Sequence, residues 1–359
     1  MNPSLKDKLS KRQKEGTKRV LSDFDGFIDF CSNDYLGLSS EPLVLKETSY
    51  GATGSRLISG TSKEVLSAER EVASFFNAQS ALFFNSGYDA NLGLFSSVPQ
   101  RGDTVIYDAL IHASVRDGIR LGFASGKSFA HNDLIDLEAK LNDAKGTIYV
   151  AVEGLYSMDG DFAPLSEIAA LCEKYGAYLI VDEAHSTGIY GALGKGLVSD
   201  LGLDNKVFAR LVTFGKAYGS HGGSVLGSSE LIEFLLNFAR SFIYTTALPP
   251  NTYQRNAKII SIESLNDRRI RLQDNIRLFR TNFLHKGLIS ESNSPIQIIE
   301  TGDVAITQSC AAVLQQNGIA IKPIYAPTVA EGKERIRLCF HSFNTENEIL
   351  QLIRSLPIE

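Results

Sequence analysis

Six short apolar runs, each followed by a turn and then by helical periodicity, constrain this chain more than any other feature. They are ALFFN (81–85), TVIYDA (104–109), TIYVAVEG (147–154), AYLIVDEA (177–184), FARLVTF (208–214) and SVLGS (224–228). Helix-like segments such as LIDLEAKLNDA (134–144) and PLSEIAALCEKYG (164–176) lie between them. In the second, Pro164 stands near the helix start and Gly176 just past its end, as capping requires. Strands that alternate with helices over short connections predict an α/β fold, a mostly parallel sheet covered on both faces. In such sheets the loops at the carboxyl ends of the strands converge on one crevice.

The pattern changes at Ala247-Leu248-Pro249-Pro250. Residues 251–286 read as one long two-faced helix. Strand candidates IQIIET (296–301), IAIKPI (319–324) and RIRLCF (335–340) follow, with the helix VAITQSCAAVLQQNG between the first two and a final helix TENEILQLIRSL. The expected organisation is an N-terminal helical lead-in (1–44), a large ligand-binding domain (45–248) and a smaller α+β C-terminal domain (249–359).

Composition narrows the partners. A net charge of −5 over 359 residues offers no general basic surface for nucleic acid. No apolar run approaches the ~20 residues of a membrane helix. Lys6, Lys8, Lys11, Arg12 and Lys14 are interrupted by Asp7 and Glu15 and no apolar stretch follows, so a signal peptide is not expected. Cys31, Cys172, Cys310 and Cys339 are far apart and form no CxxC, which predicts reduced thiols in a cytoplasmic protein.

The chemistry gathers where the strands end. Asp182 closes the run YLIV, and a buried carboxylate needs a cation or several hydrogen bonds. His185 follows three residues later. Lys216 lies after the next strand between Gly215 and Gly219, with Thr213 before it. Capping of the next helix by Asp182 and an exposed Lys216 are the plainer alternatives. In FFNSGYDANLG (83–93) a strand runs through Ser86-Gly87 into a helix near Tyr88, and backbone N–H groups at a helix start bind phosphate. His112 follows another strand and could stack on a planar ligand or serve structure alone. Glu153 and Ser157 follow a fourth, either to orient a ligand or to form a turn. An amine, an imidazole and a carboxylate in one crevice suit pyridoxal 5′-phosphate (PLP), whose aldehyde condenses with the amine and whose ring nitrogen the carboxylate keeps protonated. GFASGKS (122–128) imitates a P-loop, but only three residues separate Gly122 from Gly126 where four are needed. No GxGxxG follows a strand, which argues against a nicotinamide-dependent oxidoreductase.

Together, CSNDYLGLSS (31–40), GSRLISGTS (54–62), YDALIHAS, EGLYSMDGDFAPL (153–165), VDEAHSTGIYG (181–191), TFGKAYG and APTVAEGKERIRL (326–338) resemble the α-oxoamine synthases. These are fold-type-I PLP-dependent transferases that join an amino acid to an acyl-CoA with loss of CO2. The wording of SMDGDFAPL, TFGK and FARSFIYTTALPP (238–250) is similar to the branch that serves biotin synthesis, for which L-alanine and pimeloyl-CoA would be the substrates. Glycine C-acetyltransferase, serine palmitoyltransferase and 5-aminolevulinate synthase share the same core residues. A non-catalytic binding subunit of the same fold is disfavoured by the intact Lys216, Asp182 and His185. The resemblance implies Lys216 as Schiff-base lysine, Asp182 at the pyridine nitrogen, His185 near the ring hydroxyl and His112 stacked on the ring. It implies Gly87, Tyr88 and Thr213 at the phosphate, Thr245 and Thr246 reaching the neighbouring subunit's site, and Glu153 and Ser157 lining the pocket. Asn33 and Arg337 would hold substrate, in a cytoplasmic homodimer with shared active sites. The chain departs from that branch in a shortened segment before Gly51, in Ile324-Tyr325-Ala326-Pro327 where an arginine and two prolines are usual, and in Asn344 where a histidine is common.

Overall fold

The computed structural model describes residues 3–46, 49–262, 264–284 and 292–357. The chain divides into two compact units, residues 36–157 with 162–267, and residues 1–35, 158–161 and 268–359. These boundaries differ from the expected 45–248 and 249–359. Helix α1 (Pro3–Lys14) and strand β1 (Ile28–Asp29) precede the large unit. Both belong with the C-terminal segment, because β1 finds its parallel partner there.

The large unit contains α2 (Lys63–Phe75), β2 (Ser80–Phe84), α3 (Gly87–Ser97), β3 (Thr104–Asp108), α4 (Ala113–Leu121), β4 (Ser125–Phe129), α5 (Leu134–Asn142), β5 (Ile148–Glu153), α6 (Leu165–Tyr175), β6 (Tyr178–Asp182), α7 (Leu197–Asp200), β7 (Ala209–Thr213), β8 (Gly223–Gly227), α8 (Ser229–Phe238), α9 (Arg240–Ile243) and α10 (Pro250–Ile259). Its seven strands lie in the order β2-β8-β7-β6-β5-β3-β4. Strands β3 to β7 run parallel, and β8 is antiparallel to both β2 and β7. The sheet is therefore mixed and mostly parallel, as expected. GKS of the P-loop mimic lies in β4, an edge strand beside β3.

Helices cover both faces, so the central strands are buried on both sides and read as continuous apolar runs. On one face α3, α4 and α8 contribute Ala90, Leu94, Val115 and Leu235 to a core over Val105, Ile180 and Leu211. On the other, α5 and α6 contribute Leu137, Leu141 and Ile168 over Val150, Val152 and Val181. Helix α6 stops at Gly176, whose φ of +64° is the left-handed cap that a side chain would resist.

The single helix expected over 251–286 is two helices, α10 and α11 (Leu265–Asn282), while residues 263, 285 and 286 of that span lie outside the described residues. Helix α10 packs on α2. Its Tyr253 sits edge-on to Phe83, which draws residues 249–267 into the large unit and breaks the register before α11.

The small unit adds β9 (Ile296–Glu300), α12 (Val304–Gln316), β10 (Ile319–Ala320), β11 (Pro323–Ile324), β12 (Arg335–Cys339) and α13 (Glu346–Ser355). An antiparallel sheet runs β11-β12-β9, and β10 pairs with β1 in parallel. The strand expected at 319–324 is thus split between two sheets. Helix α13 opens on a capping box between Thr345 and Glu348.

Candidate active site

Parallel register builds the first part of the site. Asp182 ends β6 directly opposite Glu153 at the end of β5. Both side chains are buried. Asp182 Oδ2 accepts from Asn91 Nδ2 at 2.7 Å, and Oδ1 accepts from the Ala184 N–H at 2.9 Å. Among the described residues it has no salt-bridge partner. A carboxylate buried against two neutral donors still has lone pairs for a cationic N–H.

His185, on the turn after β6, is 4% exposed. Its Nε2 lies 2.8 Å from Lys216 Nζ. Lys216 follows β7 in a tight turn, with the Gly219 N–H donating to the Lys216 carbonyl at 2.8 Å and the Ser220 N–H to the Phe214 carbonyl at 2.7 Å. Gly219 is obligatory there. Its φ is +52°, and a Cβ would stand 2.1 Å from the Ser39 nitrogen.

His112 caps the N-terminus of α4. Its Nδ1 accepts from the Ser114 N–H at 3.2 Å and lies 2.7 Å from Ser114 Oγ. Part of the ring is open to solvent, and Tyr88 meets its edge at 6.3 Å between centroids. Desolvation of the inner face lowers its pKa and Lys216 adds to this, while Asp182 opposes it. The Glu153 carboxyl is pushed up to about 8 by burial and by Asp182 beside it. Backbone N–H groups of His112 and Ser157 and the Lys216 charge pull the other way. Glu153 Oε1 is buried without a hydrogen-bond partner.

Helix α3 starts beside this group. Ser86 caps it, accepting from the Asp89 N–H at 3.0 Å, which leaves the first-turn N–H groups of Gly87 and Tyr88 without an intrahelical acceptor. A Cβ on Gly87 would lie 3.7 Å from Thr213 Cβ, and one on Gly223 would come within 2.7 Å of the Gly87 nitrogen. The backbones of β8 and α3 therefore meet closely around a helix N-terminus with Thr213 at its side. Thr213 Oγ1 also donates to the Gly222 carbonyl at 3.1 Å, so it holds the local turn. Asn85 Nδ2, at the start of the same turn, donates to Thr245 Oγ1 at 3.0 Å and to the Thr246 carbonyl at 2.9 Å.

The family model for aminotransferase class I and II matches residues 25–356. The chain belongs to the aminotransferase class I and II family. Within it, the chain is 37% identical to an 8-amino-7-oxononanoate synthase of Emericella nidulans, over 99% of this chain and 95% of that one. It is 38% identical to the enzyme of the same name from Marinobacter nauticus, over 94% and 88%. Among solved structures, a serine palmitoyltransferase from S. paucimobilis with a bound PLP–myriocin aldimine superposes with a TM-score of 0.88, at 27% identity over 98% of this chain and 96% of that one. An 8-amino-7-oxononanoate synthase from Francisella tularensis gives 0.77, at 32% identity over 92% and 97%. The fold is that of the type I PLP-dependent transferases.

In this aminotransferase-family chain, Lys216, His185, Asp182, Glu153, His112, Gly87, Tyr88 and Thr213 are all carried by the large unit around the carboxyl ends of β5, β6 and β7. The residues fit PLP. A carboxylate with no salt-bridge partner among the described residues, a lysine against an imidazole and a glycine-lined helix start are the groups its ring nitrogen, aldehyde and phosphate require, and the buried Glu153 Oε1 is left without a partner beside them. Asn33 and Arg337 form a cluster within the small unit. Arg337, on β12, donates to Asn33 Oδ1 at 3.0 Å, and the Tyr35 hydroxyl donates to the same oxygen at 3.1 Å.

Sequence reasoning missed Asn91, Ser114 and the buried Glu183–Arg210 pair, whose closest approach is 2.6 Å. Asn91 left a detectable signal, a lone amide on the apolar face of α3 between Ala90 and Leu94. Of the four cysteines, Cys172, Cys310 and Cys339 are buried and Cys31 is half-buried, all with free thiols.

Proposed function

We propose that this protein condenses an amino acid, L-alanine, with a pimeloyl thioester of CoA, releasing CoA and CO2, as an 8-amino-7-oxononanoate synthase of biotin synthesis. The observation that carries the reading is the Lys216–His185–Asp182 group at the carboxyl edge of the sheet. PLP, when bound, supplies an electron sink for the bond-breaking steps at the amino acid's Cα. Asp182 keeps the ring nitrogen protonated, and Asn91 holds the carboxylate in place. His185, whose Nε2 lies against Lys216 Nζ, would stand near the ring hydroxyl, and His112 would stack on the ring. Gly87, Tyr88 and Thr213 take the phosphate, with Thr245 and Thr246 of a second copy completing it in a homodimer. Glu153 and Ser157 line the pocket.

Lys216 would hold the cofactor through its Nζ. Its freed Nζ then receives the Cα proton, so the base stands where the proton leaves. Arg337 grips the amino-acid carboxylate with its planar fork, and Asn33 holds that fork. The protein works in the cytoplasm; among the described residues no helix is long and apolar enough to cross a membrane.

The test is borohydride reduction of the purified protein followed by peptide mapping, with the label expected on Lys216. A label elsewhere, or none, ends the reading. Titration with alanine, glycine and serine then decides the substrate, since absorbance bands that move with serine alone would replace alanine.

A further inference from the structure

We propose that Asn91 and Ser114 are positioning residues that hold His112 as the neutral tautomer protonated on Nε2, by passing one hydrogen-bond direction from Asp182 to His112 Nδ1. The inference rests on the reading of this cluster as the cofactor site.

The direction starts at Asp182. An ionised carboxylate only accepts. Its Oδ2 lies 2.7 Å from the side-chain amide of Asn91, so the amide must present its nitrogen there. The reverse orientation would press two acceptor oxygens together. The same nitrogen has a second hydrogen, which Ser114 Oγ accepts at 3.0 Å. A hydroxyl carries one proton. Having accepted from Asn91, Ser114 Oγ keeps one lone pair and its proton for its other close neighbour, His112 Nδ1, 2.7 Å away; the backbone N–H that already donates to that nitrogen makes it an acceptor, so the hydroxyl proton faces it. The Ser114 backbone N–H points at the same nitrogen from 3.2 Å. Two donors converge on Nδ1, which therefore bears the lone pair, and the neutral ring has its proton on Nε2.

The arrangement has a visible cost. Asn91 is buried, and its Oδ1 has no hydrogen-bond partner. An amide free to choose would turn that oxygen toward the Ser114 hydroxyl; the carboxylate of Asp182 forbids it. The charged groups acting on the His112 ring are Asp182, Lys216, Arg116 and Asp117, and desolvation is the largest influence, lowering its pKa in the same sense as two donors at Nδ1. His112 is thus a neutral N–H donor at Nε2, and removal of the Cα proton is left to Lys216.

The test is nitrogen NMR of the full-length protein, freed of cofactor and labelled with 15N at its six histidines. His112 is assigned by the signals lost in His112→Gln. The expected result is a bare Nδ1 and a protonated Nε2 in the neutral ring. Asn91→Ala, which removes no bond to His112, is expected to raise the His112 pKa by about one pH unit and to admit the Nδ1–H form. Ser114→Ala should do the same, and Ser114→Thr should keep the wild-type pattern. An Nδ1–H tautomer in the wild type overturns the proposal, as does an unchanged tautomer and titration in Asn91→Ala. If Asn91→Ala does not fold, Ser114→Ala decides, and an unchanged tautomer and titration there overturns the proposal. The measurement needs no cofactor, so its failure is separate from a failure to label Lys216.

Discussion

Glu153 and Asp182 face each other across β5 and β6, two carboxylates brought side by side at the carboxyl ends of central strands by parallel register alone. Burial and the neighbouring charge raise the Glu153 pKa from 4.5 to about 8. As pH rises, the unfolded chain gives up this proton first and the folded chain keeps it. The contribution of Glu153 to stability is therefore fully present below about 4.5 and declines until about 8. Glu153→Gln keeps the acceptor oxygen and removes the titration. Denaturant unfolding of the cofactor-free protein should show a fall in stability across this window for the wild type that is shallower in the variant; parallel curves would exclude the shift.

Lys216→Ala should lower turnover by about 10³-fold or more, because on the proposed reading one residue would both carry the cofactor and receive the proton. Steady-state rates with alanine and the acyl thioester, together with the visible spectrum, check this. Near-normal turnover would remove the mechanism.

Arg337→Ala should raise KM for the amino acid by about 10- to 100-fold, the value of a hydrogen bond to a charged group, with a smaller effect on kcat. An unchanged KM would assign Arg337 to the structure of the small unit.

Gly219→Ala combines a left-handed backbone with a Cβ inside contact distance of the Leu38–Ser39 backbone. It should destabilise the protein by about 2–4 kcal/mol and shift the turn that carries Lys216. Thermal unfolding and the yield of labelled Lys216 measure the two effects. A variant equal to wild type in both would mean that this turn is not rigid.

Arg56 and Glu69 are joined by two bonds of 2.8 and 3.0 Å, and Glu69 Oε1 also accepts from the Phe83 N–H of β2. Removing one partner strands a buried charge. Arg56→Met should cost about 3–5 kcal/mol, read from urea unfolding.

The order of strands and helices could be read directly because each central strand is apolar on both faces and each helix repeats at its own period. Asp182, His185 and Lys216 could be read because all three follow apolar runs at strand ends. Other features had no local signature. SVLGS looks the same whichever way it runs, and only its pairing with β2 and β7 makes β8 antiparallel. Strand β4 is polar and exposed because it lies at an edge, so it is absent from the apolar runs of the sequence. Residues 251–286 keep one helical period across a break that packing on α2 and Phe83 creates.

By itself the sequence determined the α/β class and placed Asp182, His185 and Lys216 at strand ends, since both depend on periodicities and residue types within a few positions. Tertiary structure alone decided that Asn91 meets Asp182 91 positions away and that Ser114 links it to His112. Hydrogen-bond direction depends on which atoms lie within 3 Å after packing, and no local pattern records that distance.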